Sequence, residues 1–130
     1  MKKHFVTFYS PGSFVDETDT KEINDWDVNV AKDMAKNINQ RYGAKPYAFR
    51  FTTKERGPDD FDSKVVKTSG MYFLGGRVRS IEEVILLNDP KEEILRWNMI
   101  TNKYDRVIET NNSYKRTATM SKEDVVLDFP

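Results

Sequence analysis

Residues 80–102 read SIEEVILLNDPKEEILRWNMITN, and the way this stretch folds decides the class of the whole chain. Two helix starts are written in it. Ser80-Ile81-Glu82-Glu83 has the form of a capping box, in which a serine and a glutamate three residues on each satisfy the other's free backbone N–H. It opens a short helix through Leu87. Asp89-Pro90 then sets an N-cap aspartate before a proline in the first turn, and this second helix runs to Asn102.

A further helix lies upstream. Ala31, Met34, Ala35, Ile38 and Tyr42 recur at helical spacing and form one apolar stripe, with Asp25 or Asp27 as N-cap and Gly43 as the stop. Pro46 prevents its resumption. Strands alternate at a period of two instead. In Tyr47 to Thr53 the residues Tyr47, Phe49, Phe51 and Thr53 share one face, while Arg50 lies on the other with Ala48 and Thr52. His4 to Ser10 is a second strand and Val65-Val66 a short third. Met71 to Leu74 and Arg77 to Arg79 suit a two-residue hairpin across Gly75-Gly76. Arg106 to Thr110 and Val125 to Phe129 close the chain. Ser13 to Lys21, Lys54 to Ser63 and Asn111 to Ser121 are polar and irregular, and read as connections.

The expectation is a single α+β domain over residues 1–130. It has an antiparallel or mixed sheet of about five strands with two or three helices packed on one face.

Composition narrows the function. Lysine plus arginine and aspartate plus glutamate both number 21, so the chain lacks the uniform positive field of a protein that holds nucleic acid through phosphates. Without cysteine there is no disulfide framework and no thiolate nucleophile. The start lacks the apolar run of a signal peptide, and no apolar run approaches the roughly 20 residues that span a bilayer. A cytoplasmic protein without membrane contact is expected.

Catalytic patterns are thin. A lone His4, read as exposed, makes no zinc site without cysteine. Asp59, Asp60 and Asp62 lack the spacing of a calcium loop. Pro58-Asp59 with Asp62-Ser63-Lys64 imitates a metal-dependent nuclease motif, but its two halves are too close for neighbouring strands. No catalytic residue, metal or cofactor is therefore assigned. The Ser10-Pro11-Gly12-Ser13 loop is either a structural turn or a small anion cradle.

Local charge is more telling than the total. Residues 16–33 carry seven acids against Lys21 and Lys32, while residues 41–56 carry Arg41, Lys45, Arg50, Lys54 and Arg56 against Glu55. Residues 96–116 add Arg96, Lys103, Arg106, Lys115 and Arg116, interleaved with Trp97, Tyr104 and Tyr114 and with the amides Asn98, Asn102, Asn111 and Asn112. Arginine forks, flat rings and amides are what a pocket for a phosphorylated base uses. The same residues also suit a partly exposed sheet face with Trp97 packed beneath it.

The segments FYSPGSF (8–14), YAFRFTT (47–53), SGMYFLGG (69–76), NM (98–99) with YDRVIE (104–109), and DVVLD (124–128) resemble a group of small accessory proteins of tailed bacteriophages and prophages. The resemblance spans most of the chain. It implies a setting, the cytoplasm of an infected bacterial host, and by analogy with that setting, where small phage proteins without catalytic constellations often counter host defence, a role in sequestering a nucleotide-derived signal or occluding a defence protein.

The leading expectation is thus a non-enzymatic protein that sequesters a nucleotide-like small molecule at an interface of a homo-oligomer. Arg50, Arg56, Arg106 and Arg116 meet phosphates, Tyr104 or Tyr114 stacks, Asn98 or Asn112 reads polar edges, and Ser10 sits in the anion loop. The alternatives are an inhibitor that docks on a host defence protein through the acidic residues 16–33, and a modest DNA or RNA binder through residues 96–116.

Overall fold

The computed structural model describes residues 1–9, 17–42, 46–56, 63–86, 93–110 and 113–128. These form β1 (Lys2–Tyr9), β2 (Glu17–Ile23), α1 (Val28–Tyr42), β3 (Ala48–Arg56), β4 (Ser63–Leu74), β5 (Arg77–Val78), β6 (Glu83–Ile85), β7 (Glu93–Asn98), β8 (Lys103–Thr110), β9 (Ser113–Met120) and β10 (Val125–Asp128). The strands build two five-stranded sheets, ordered β10-β4-β3-β1-β2 and β5-β6-β7-β8-β9. By contact the chain divides into two compact units, Met1–Met71 and Tyr72–Pro130.

This overturns the expectation of an α+β fold with two or three helices. Among the described residues there is one α-helix, and the stretch at 80–102 is strand and turn. Burial explains why. Val84, Ile85 and Leu86 are all buried, as are Glu93, Ile94 and Leu95, so consecutive side chains are covered instead of one face in every turn. A short apolar run covered on both sides suits a strand, and β-branched Val84, Ile85 and Ile94 favour it.

The two helix signals at 80–102 turn out to be turn chemistry. The Ser80 hydroxyl accepts the Glu82 N–H at 3.4 Å, and the Arg79 and Ser80 N–H groups donate to the Glu83 carbonyl at 2.9 and 3.2 Å. Serine accepts from a backbone N–H two residues on in a turn as readily as at a cap. Asp89-Pro90 lies outside the described residues. Where the second helix was to continue, Asn98 Oδ1 accepts the N–H groups of Ile100 and Thr101 at 2.9 and 3.2 Å. Asn102 at φ 54° then closes the turn into β8, a left-handed conformation that asparagine tolerates.

Two further expectations change. Gly75-Gly76 does not close a hairpin, because β5 pairs with β6, Arg77 opposite Ile85 and Val78 opposite Val84. Gly75, at φ 65°, instead lets the chain turn between strands of different sheets. The polar stretches before Lys21 and after Asn112 contribute β2 and β9, whose exposed positions carry no apolar alternation to reveal them.

The first unit has an aromatic core. β1 and β3 run antiparallel with Val6 opposite Phe51 and Phe8 opposite Phe49, and all four are buried. The rings of Phe49 and Phe51 meet edge to face, with centroids 5.4 Å apart, a favourable quadrupole geometry. Helix α1 starts as the sequence suggests. Asp27 accepts the N–H groups of Asn29 and Val30 at 2.9 and 3.3 Å, and Ala31, Ala35 and Ile38 are buried. His4 is half-buried instead of exposed, with Nδ1 2.8 Å from Thr53 Oγ1.

The second unit joins an aliphatic cluster of Ile85, Ile94 and Val107 to a fully buried ion pair between Arg106 and Glu93.

Candidate functional site

Side chains of successive strand residues point to opposite faces, and residues directly opposite on neighbouring strands share a face. On β7 and β8, Arg96 faces Asp105 and Ile94 faces Val107, whereas Leu95 faces Arg106 and Trp97 faces Tyr104. On β9, Arg116 opposes Val107 and Tyr114 opposes Glu109. The sheet therefore divides the expected ligand residues into two sets. Arg116 and Tyr114 share a face with Arg96 and Asn98, while Arg106 and Tyr104 stand on the reverse face.

The reverse face is a packed one. Arg106 is fully buried, its Nε donating to Glu93 Oε1, and an arginine sealed on a carboxylate has no open fork for a phosphate. Tyr104 meets Trp97 edge to face at 4.9 Å.

The other face is a lattice of alternating charge around the Ile85, Ile94 and Val107 cluster. Arg96 lies 3.8 Å from Glu83, Arg79 lies 3.7 Å from Glu83 and 3.2 Å from Glu109, and Arg116 lies 3.9 Å from Asp105. The hydrogen bond that Arg79 donates to Glu109, together with the charge of that carboxylate, raises the guanidinium pKa above its ordinary value. Arg96 also caps the ring of the exposed Tyr114, 5.0 Å from its centroid. Asn98 is held within the fold, donating to Asp105 at 3.2 Å while its carbonyl organises the turn.

The remaining expected residues lie elsewhere. Arg50 and Arg56 sit on β3 in the first unit, Arg50 partly buried and Arg56 exposed, while Ser10 and Asn112 are outside the described residues. The acidic stretch is partly structural: Asp27 caps α1, Asp25 accepts the Trp26 N–H at 2.7 Å, and Glu22 lies 3.8 Å from Lys3. The nuclease-like Asp59, Asp60 and Asp62 are also outside the described residues. No group of three or more metal-ligating side chains occurs among those described.

A feature the sequence reading passed over stands at one end of the second sheet. Register places two turns there side by side, because Glu83 pairs with Arg96 and the Trp97 N–H donates to the Glu82 carbonyl at 2.9 Å. Ile81 on one turn is 102% exposed, and Met99 and Ile100 on the other are 71% and 94% exposed. Ser121 to Asp124 lies at the same end, since Tyr104 pairs with Met120. At the same end Lys103 and Lys122 stand with Glu82, Glu123 and Asp124, all exposed, while the Arg79 guanidinium turns to Glu83 and Glu109. Three large aliphatic residues placed for a helix interior were the available signal, and the helix assignment hid them.

No protein-family model, curated protein or solved structure matches the chain. Among the described residues no helix is long and apolar enough to cross a membrane.

Proposed function

We propose that the protein is a non-enzymatic binder that acts by docking on another protein through the turn end of its second sheet. The observation that carries this reading is the exposure of Ile81, Met99 and Ile100 on adjacent turns, a grouping of large apolar side chains at a polar rim. The charge balance of that rim selects the kind of partner. An anionic lipid surface or a nucleic acid would favour a basic rim, whereas the cations and carboxylates mixed at this end complement a protein groove of mixed polarity.

The arginine lattice supports the same class. Arg79, Arg96 and Arg116 already face carboxylates, so a phosphorylated ligand would have to displace Glu83, Glu109 or Asp105 to reach them. A protein surface can add to such a lattice at its edges, and arginine and tyrosine are the residues that contribute most at interfaces. With the setting that the phage resemblance implies, the partner is a bacterial protein and the role is occlusion.

The test is capture from bacterial lysate with purified wild-type protein, an Ile81→Asp/Ile100→Asp variant and an Arg56→Ala variant in parallel. A polypeptide retained by the wild type and by Arg56→Ala, but lost with the turn variant, supports the reading. Retention by all three would move the contact away from the turns.

A further inference from the structure

The first unit holds a cleft of about 480 Å³, within the roughly 300–1,000 Å³ of small-molecule sites. It stands at the end of the aromatic core and draws on four parts of the unit. β1 contributes Lys2 and His4, β3 contributes Thr53, β4 contributes Lys67, and the link between β2 and α1 contributes Asp25 and Trp26. We propose that this cleft binds a small organic phosphate of mononucleotide size. The site is separate from the docking surface and does not depend on it.

Three observations converge on an anion. The charged lining is two lysines against one aspartate, one net positive charge. The carboxylate is moreover engaged, since Asp25 Oδ1 accepts the Trp26 backbone N–H at 2.7 Å. Most telling is the Trp26 indole. Among the described residues its Nε1–H is buried with no acceptor, and a buried donor without a partner marks a place where an acceptor belongs.

The indole is also held in place. One stacked contact sets it on Phe51, centroids 5.8 Å apart and planes 14° apart, and Lys67 Nζ lies 4.5 Å from its ring centroid. The indole is thus fixed in place with a lysine ammonium over its face, so both groups are set before an oxyanion arrives. His4 is oriented as well, through the 2.8 Å contact between Nδ1 and Thr53 Oγ1, which leaves Nε2 as its free ring nitrogen. With Lys67 on the indole, the ring is committed to packing, so recognition falls on phosphate oxygens and polar edges. The cleft volume leaves space for the organic part of the ligand.

The experiment is a ¹⁵N NMR titration of the full chain that follows the indole N–H signals. The two tryptophans make it self-controlled, because Trp97 lies in the other unit. The probes are adenosine 5′-monophosphate, ribose 5-phosphate and inorganic phosphate, applied to wild type and to a Lys2→Ala/Lys67→Ala variant. The expected result is a saturable shift of the Trp26 signal with one or both organic phosphates, an unmoved Trp97 signal, and an affinity at least tenfold lower in the variant. The proposal is overturned by a Trp26 signal that stays put with all three probes. It is equally overturned by undiminished binding in a variant whose Trp97 signal shows it folded, or by inorganic phosphate binding as tightly as the organic probes.

Discussion

Arg106 and Arg116 lie on adjacent strands of one sheet and share a chemistry, yet one is sealed and the other is open. Arg106 is buried against Glu93, whereas Arg116 has a side chain 63% exposed and only a distant carboxylate at 3.9 Å. The difference is one of strand parity and register. A linear count of cations between residues 96 and 116 adds them together, while the pleat assigns them to opposite faces and separate tasks. The lesson is that residue type suggests a ligand only after the face is known.

Substitutions break this comparison most sharply at the buried arginine. Arg106→Ala leaves the Glu93 carboxylate buried without its partner and is expected to remove about 3–5 kcal/mol, a large part of the 5–15 kcal/mol typical of a domain. Urea denaturation reads it as a fall in midpoint, or as loss of the cooperative transition. A Glu93→Leu/Arg106→Met double variant should recover most of that loss, because it removes both charges and keeps the volume. Failure of the double variant to exceed Arg106→Ala would mean that the pair is not what the single substitution disturbs.

The two cap-like sequences form a second comparison. Asp27 truly caps α1, so Asp27→Ala should cost about 1 kcal/mol and lower the far-ultraviolet helical signal near the transition. Ser80 supports a turn through one long contact of 3.4 Å, so Ser80→Ala should change stability by less than about 0.5 kcal/mol. Equal costs at the two sites would contradict the assignment of residues 80–83 to a turn. The smallest effect belongs to Arg116→Ala, expected within about 0.5 kcal/mol of wild type because exposed, loosely paired charges contribute little. A cost near that of Arg106→Ala would erase the distinction between the faces.

What was legible in the sequence follows the strength of local periodicity. β3 alternates aromatic and polar residues and β1 is a short run rich in aromatic and β-branched residues, so both are legible in the sequence itself, as is the apolar stripe of α1 with Asp27 before it. β2 and β9 are mostly polar, and their strand state comes from pairing with β1 and β8, a long-range cause that no local pattern records. β6 and β7 were misread for the opposite reason. Apolar residues in succession satisfy a helix and a doubly covered strand alike, and only tertiary burial separates them.

The candidate sites were legible to a lesser degree. The described residues of 96–116 do come together on one sheet, but the pleat splits them, and the lattice is completed by Glu83, from a segment read as helix, and by Arg79, read as the end of a hairpin strand. The cleft around Trp26 gathers residues from positions 2 to 67, a distance over which residue type alone carries no sign of proximity.

The central functional claim is that the turn end of the second sheet is the contact surface. The most direct measurement is site-specific photo-crosslinking in bacterial cells, with the photoreactive residue placed at Ile100 or, as a control, at Lys36 on the exposed side of α1. The account expects one discrete polypeptide crosslinked from position 100, absent from position 36 and lost when Ile81→Asp is added. Crosslinks of equal pattern from both positions, or none from position 100, would contradict it.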